Sequence, residues 1–140
     1  MNTIVLSIDP GRKKCGMAVV NDRLKFITGM VVNNHELLQQ VQLCLDRFKI
    51  KKILIGSGTN SPEIYDRVKK KFPNWVITEV AEKNTTIQAR KRYFETYPPT
   101  GFAKILPISF RIPPRPYDDF AALVIAERYF QSLQDNAGIQ

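Results

Sequence analysis

Thr3 to Ile8 is apolar on both faces and rich in β-branched residues. Such a strand has to lie inside a sheet with both faces covered, since neither face suits water. Asp9-Pro10-Gly11 breaks it. Cys15 to Val20 forms a second short strand, Asn21-Asp22 a turn, and Leu24 to Val32 a third strand. Connections this short make the three neighbours antiparallel.

The period then becomes helical. After Asn34, which reads as a helix cap, Leu37, Leu38, Val41, Leu45 and Phe48 recur at helical spacing. Lys52 to Ile55 is a buried strand closing on Gly56-Ser57-Gly58. Ser61-Pro62 opens a helix that ends near Phe72, with Pro at the first helical position. Trp75 to Ala81 is a fifth strand. Thr85-Thr86-Ile87-Gln88 has capping-box spacing and predicts a helix over 86–96. Pro98 to Pro116 holds six prolines without helical period and reads as a long loop. Tyr117 to Leu133 is the last helix, almost wholly apolar from Phe120 to Ala126, with a frayed tail from Asp135.

Strands separated by helices run parallel through right-handed crossovers, so the expected sheet is mixed. It has about five strands, the first three antiparallel, flanked by helices. With no internal repeat and no linker, 140 residues fit one domain, residues 1–140.

Twenty-one Lys and Arg face thirteen Asp and Glu, a net charge of +8. A folded domain that basic points to a polyanionic partner, or is simply a soluble basic protein. Cys15 and Cys44 form no C-x-x-C pair, so neither zinc nor a disulfide framework is expected. No leader, cleavage site or membrane-length apolar run is visible, which points to the cytoplasm and away from membranes.

Acidic residues stand where the backbone changes element. Asp9 ends the first strand, Glu82 ends the fifth, and Asp118 and Asp119 open the last helix. Alternation puts Asp9 on the face of Val5 and Ser7, and Glu82 on the face of Val76 and Val80. Carboxylates converging from strand ends and a packed helix repel one another and call for a cation between them. An all-oxygen donor set favours Mg²⁺ or Mn²⁺. Each residue taken singly also suits capping or solubility. Gly11 is expected to give the turn after Asp9 a positive φ. Gly16, Gly56 and Gly58 either leave room beside the acids or simply form turns.

Around these acids lie Arg12, Lys13 and Lys14 in the first turn, Lys83, Arg90, Arg111 and Arg115, with Tyr93, Phe94, Tyr97, Phe102 and Phe110 interleaved. Aromatics so placed stack on unpaired bases or fill a core. His35, the one histidine, reads as a surface or capping residue.

Ile8-Asp9-Pro10-Gly11 followed by Gly16-Met17-Ala18-Val19-Val20 resembles the opening hairpin of RuvC/YqgF-type resolvases. Glu82-Lys83-Asn84-Thr85-Thr86 is similar to that family's acidic-basic-x-Thr-Thr stretch. Asp118 with Ala121-Ala122 resembles its closing catalytic helix. Ile55-Gly56-Ser57-Gly58-Thr59 is similar to the Gly-rich strand end of Tex-type proteins.

The resemblance implies an RNase H-like fold and Mg²⁺ or Mn²⁺ held by Asp9, Glu82 and Asp118. The implied activity is a metal-dependent endonuclease acting on branched DNA, as in Holliday junction resolvases. Processing of precursor ribosomal RNA, and binding of structured nucleic acid without turnover, are the alternatives on the same fold. Asn84 stands where the family has an apolar residue, and Ala121 where the RuvC branch has a second Asp. Asp119, a further candidate ligand, is turned by about 100° from Asp118 on a helix. A homodimer would suit a symmetric four-way junction. Asp-x-Gly hairpins also cradle phosphates in actin-like ATPases, but those enclose the nucleotide between two such domains, and a second hairpin of this kind is absent.

Overall fold

The computed structural model describes residues 3–81 and 118–138, with the side chains of the last helix from 121 to 133. Five strands form one sheet in the order β3-β2-β1-β4-β5. They are β1 (Ile4–Asp9), β2 (Lys14–Asn21), β3 (Phe26–Asn33), β4 (Ile50–Ser57) and β5 (Ile77–Ala81). β1 pairs antiparallel with β2 and parallel with β4, and β4 pairs parallel with β5. The doubly apolar first strand is therefore the middle strand of a mixed sheet, as its composition requires.

The two faces of β1 feed two cores. Leu6 and Ile8 join Met17, Val19, Ile53 and Ile55 under α1 (Leu37–Arg47) and α2 (Ser61–Lys71), which contribute Leu37, Val41, Ile64 and Val68. Val5, with Ala18, Val20 and Leu54, lies under α3 (Asp118–Gly138). Six successive residues of α3, Ala121 to Ala126, are buried, so this part of the helix is enclosed around its circumference. Ser7 and Ala18, opposite each other in the β1–β2 ladder, are both buried. Small residues on sheet and helix let the two layers approach closely.

Several boundaries differ from the sequence reading. β3 starts at Phe26 rather than Leu24. The Asn21 carboxamide oxygen accepts from the Arg23 and Lys25 amides, and the Asn21 amide donates to the Lys25 carbonyl. The turn thus extends to Lys25, with Leu24 at φ 61°. β5 begins at Ile77, because the Trp75 amide is spent on the Phe72 carbonyl. Asn34 caps no helix: it opens a 3-10 turn (Asn34–Glu36), and its side chain is engaged elsewhere. α3 continues to Gly138, past the tail expected to fray from Asp135. The expected helix over 86–96 and the Pro98 to Pro116 loop lie outside the described residues. Cys15 and Cys44 are buried, reduced thiols. No described helix is long and apolar enough to cross a membrane.

Candidate metal and phosphate site

Asp9 is the last residue of β1 and is half-buried on the face that packs against α3. Its partner across the β1–β2 ladder is Gly16. On the other side the β1–β4 register ends at Ile8 opposite Ile55, one residue short of Asp9 and Gly56. Directly opposed residues share a face, so on the β2 side the carboxylate position is flanked by a residue without a side chain. Gly16 and Gly56 lie inside β2 and β4, so neither is a turn residue. Gly58 does the turn work: its carbonyl accepts from Ser61 Oγ at 3.0 Å as the chain enters α2.

Beyond Asp9 the chain turns through Pro10-Gly11-Arg12-Lys13 into β2. Arg12, Lys13 and Lys14 are all exposed. The expected positive φ at Gly11 is not what the turn uses. Its role is one of space: a Cβ there would collide with the Lys14 carbonyl oxygen. Asn34, 23 residues away, donates through Nδ2 to the Gly11 carbonyl, and also to the Arg12 carbonyl, each at 3.0 Å.

At the far end of the sheet, Val80 of β5 packs on the α3 side. Glu82 itself, with Lys83, Arg90, Arg111 and Arg115, lies outside the described residues. So do the side chains of Asp118 and Asp119, although both open α3. The Arg128 guanidinium of α3 donates to the Ala81 carbonyl at 2.8 Å, fastening the chain one residue before Glu82. Lys52 Nζ donates to Tyr129 Oη at 2.7 Å and sits 5.0 Å from the ring centroid, fastening the second half of α3 over the start of β4.

Among the described residues no group of three or more His, Cys, Asp or Glu is close enough to hold a metal ion. The one expected ligand whose side chain is described, Asp9, offers hard oxygen donors, and neither Cys15 nor Cys44 shares its face. That chemistry fits Mg²⁺ or Mn²⁺ rather than a soft ion. His35 is an exposed side chain 3.9 Å from Glu36, as its surface reading requires. Sequence reasoning did not anticipate the bonds made by Asn34 and Arg128. Both act through carbonyls distant in sequence, and no local spacing signals such bonds.

The fold is RNase H-like. The structure of RuvC from Thermus thermophilus is similar over 93% of this chain and 95% of that one, with a TM-score of 0.58 and 15% identity. A candidate sugar kinase from Cytophaga hutchinsonii aligns over 64% of this chain and 39% of its own, with a TM-score of 0.45 and 13% identity. A ROK family protein from Streptococcus pneumoniae covers 69% and 39%, with a TM-score of 0.45 and 11% identity. No protein-family model and no curated protein sequence matches the chain.

Proposed function

We propose that this chain is a Mg²⁺- or Mn²⁺-dependent endonuclease that hydrolyses phosphodiesters in branched DNA, working as one domain over residues 1–140. The observation that carries the reading is Asp9: a carboxylate ending the middle strand of an RNase H-like sheet, opposite Gly16 and beside an exposed basic turn.

Asp9, Glu82 and Asp118 would hold the metal, with Asp119 as a further candidate. Helix geometry is compatible with that set. From Tyr129 back to Asp118 the axis rises about 16 Å. From Val5 to Asp9 the strand advances about 13 Å. Tyr129 is tied to Lys52, which pairs with Val5, so α3 is long enough to bring Asp118 to the level of Asp9. When bound, the divalent ion supplies Lewis acidity for water activation and for charge on the leaving oxygen. The chain's own part is to hold phosphates on Arg12, Lys13 and Lys14, with Lys83, Arg90, Arg111 and Arg115 extending the basic surface. Gly16 leaves room for a strand backbone beside Asp9.

The test is a cleavage panel of four-way DNA junction, duplex, single strand and precursor ribosomal RNA, with and without Mn²⁺. Metal-dependent cutting of the junction in preference to duplex supports the reading. Cutting of the RNA alone would make the chain a ribosomal RNA processing nuclease, and tight binding without cutting on any substrate would make it a binding module.

A further inference from the structure

We infer that Asn34 is the positioning residue of the basic turn, holding Arg12, Lys13 and Lys14 in the one arrangement in which they meet phosphates. The inference rests on the proposed reading of that turn as a nucleic-acid contact. Asn34 lies outside the turn in sequence, yet every polar group it has is directed at the turn or at what supports it. Its Nδ2 donates to the Gly11 and Arg12 carbonyls at 3.0 Å each. Its backbone amide donates to the Lys13 carbonyl at 2.9 Å. Its Oδ1 accepts from Cys15 Sγ at 3.0 Å, and its carbonyl accepts from Arg67 Nη2 of α2 at 2.9 Å.

Three consecutive carbonyls, those of Gly11, Arg12 and Lys13, are thus fixed by one residue. Their alignment toward Asn34 sets the direction of the peptide planes that carry the three basic side chains. A surface turn left to itself samples several backbone arrangements, and three bonds from one distant residue restrict it to one. The Cys15 thiol fixes which carboxamide atom faces the carbonyls: with Oδ1 engaged by the thiol, the NH₂ group points at Gly11 and Arg12. Arg67 anchors the clamp to α2, making the turn part of the packed body rather than a loop above it. It is also a fourth cation on the same corner of the molecule.

A positioning role differs from a general structural one in its coupling. If Asn34 acts only through the basic turn, its loss should matter only while the turn's charges are present. The experiment measures binding of a fluorescent four-way DNA junction across a salt series without divalent ions. It compares the full-length wild type, Asn34→Ala, the Arg12→Ala/Lys13→Ala/Lys14→Ala triple variant, and the four-fold combination.

The expected result is a loss of about tenfold in affinity for Asn34→Ala, with the log–log salt slope reduced by about 0.9 for each phosphate the turn no longer holds. The four-fold variant should bind like the triple variant. Additive losses in the four-fold variant, or unchanged binding by Asn34→Ala while the triple variant weakens, would overturn the positioning role and leave the functional reading intact. Unchanged binding by the triple variant would overturn the reading of the turn itself. Asn34→Asp, which keeps the size and the acceptor for Cys15 but loses both side-chain donors, serves in the same cycle should Asn34→Ala not fold. Failure of both to fold would make Asn34 a folding residue and end the proposal.

Discussion

Arg128 donates from Nη1 to the carbonyl of Ala81 at 2.8 Å, joining α3 to the end of β5. The bond spans 47 residues and holds the chain immediately before Glu82. Charge-assisted bonds of this kind are the stronger ones, although this one is solvent-exposed. Arg128→Met keeps the apolar stem and removes the donor. It is expected to cost about 1 kcal/mol in urea unfolding, and to weaken Mn²⁺ binding by loosening Glu82. Unchanged Mn²⁺ affinity in isothermal titration would separate the bond from the metal site.

Asp9→Asn should abolish cleavage and spare the fold. Changes to groups that only orient a ligand commonly cost about 10–100-fold, so loss of a ligand itself should cost at least ~100-fold. Clustered carboxylates repel, so neutralising one should leave the metal-free melting temperature unchanged or higher. Retained cleavage by purified Asp9→Asn removes Asp9 from the site. Unfolding would mark it as a structural residue.

Asp118, rather than Asp119, is expected to be the main ligand from α3. Ala121, Ala122 and Ile125 share the face of Asp118, whereas Ala122, Leu123 and Ala126 share that of Asp119, and all five residues are buried. Burial therefore does not separate the two, and the register rests on the Ala121-Ala122 resemblance. Asp118→Asn should lose more Mn²⁺ affinity and more cleavage rate than Asp119→Asn. The reverse order on both measurements would shift the register by one residue.

Ser7 gives a prediction of opposite sign. It is fully buried beneath α3, and its Oγ has no hydrogen-bond partner among the described residues. A buried unsatisfied hydroxyl costs about 1–3 kcal/mol, so Ser7→Ala should raise the midpoint of thermal unfolding. The smaller side chain also preserves the close approach of helix and sheet. A clear loss of stability would show that the hydroxyl is bonded in the folded protein.

The strand and helix order is legible in the sequence because it depends on periodicity. Thr3 to Ile8 declares a central strand through apolar residues on both faces, and Pro62 marks the start of α2 through its fixed φ. Asp9 is legible too, since alternation from Val5 assigns its face. Boundaries depart where a polar side chain spends its hydrogen bonds locally, as Asn21 does in extending its turn to Lys25. Asn34 reads as a cap because Asn serves caps and turn clamps alike, and its partner alone distinguishes them. That partner, the hairpin turn 22 residues earlier, reaches Asn34 only because β3 returns antiparallel beside β2. Among the described residues, periodicity along the chain was enough to assign the strands and helices and the face of β1 that carries the carboxylate. Only the folded arrangement reveals that Gly16 lies opposite Asp9, that Gly11 is needed for space rather than positive φ, and that Asn34 and Arg128 hold distant carbonyls. These are relations between strands and layers, set by register and packing, and a periodic pattern along one chain carries no information about its neighbours.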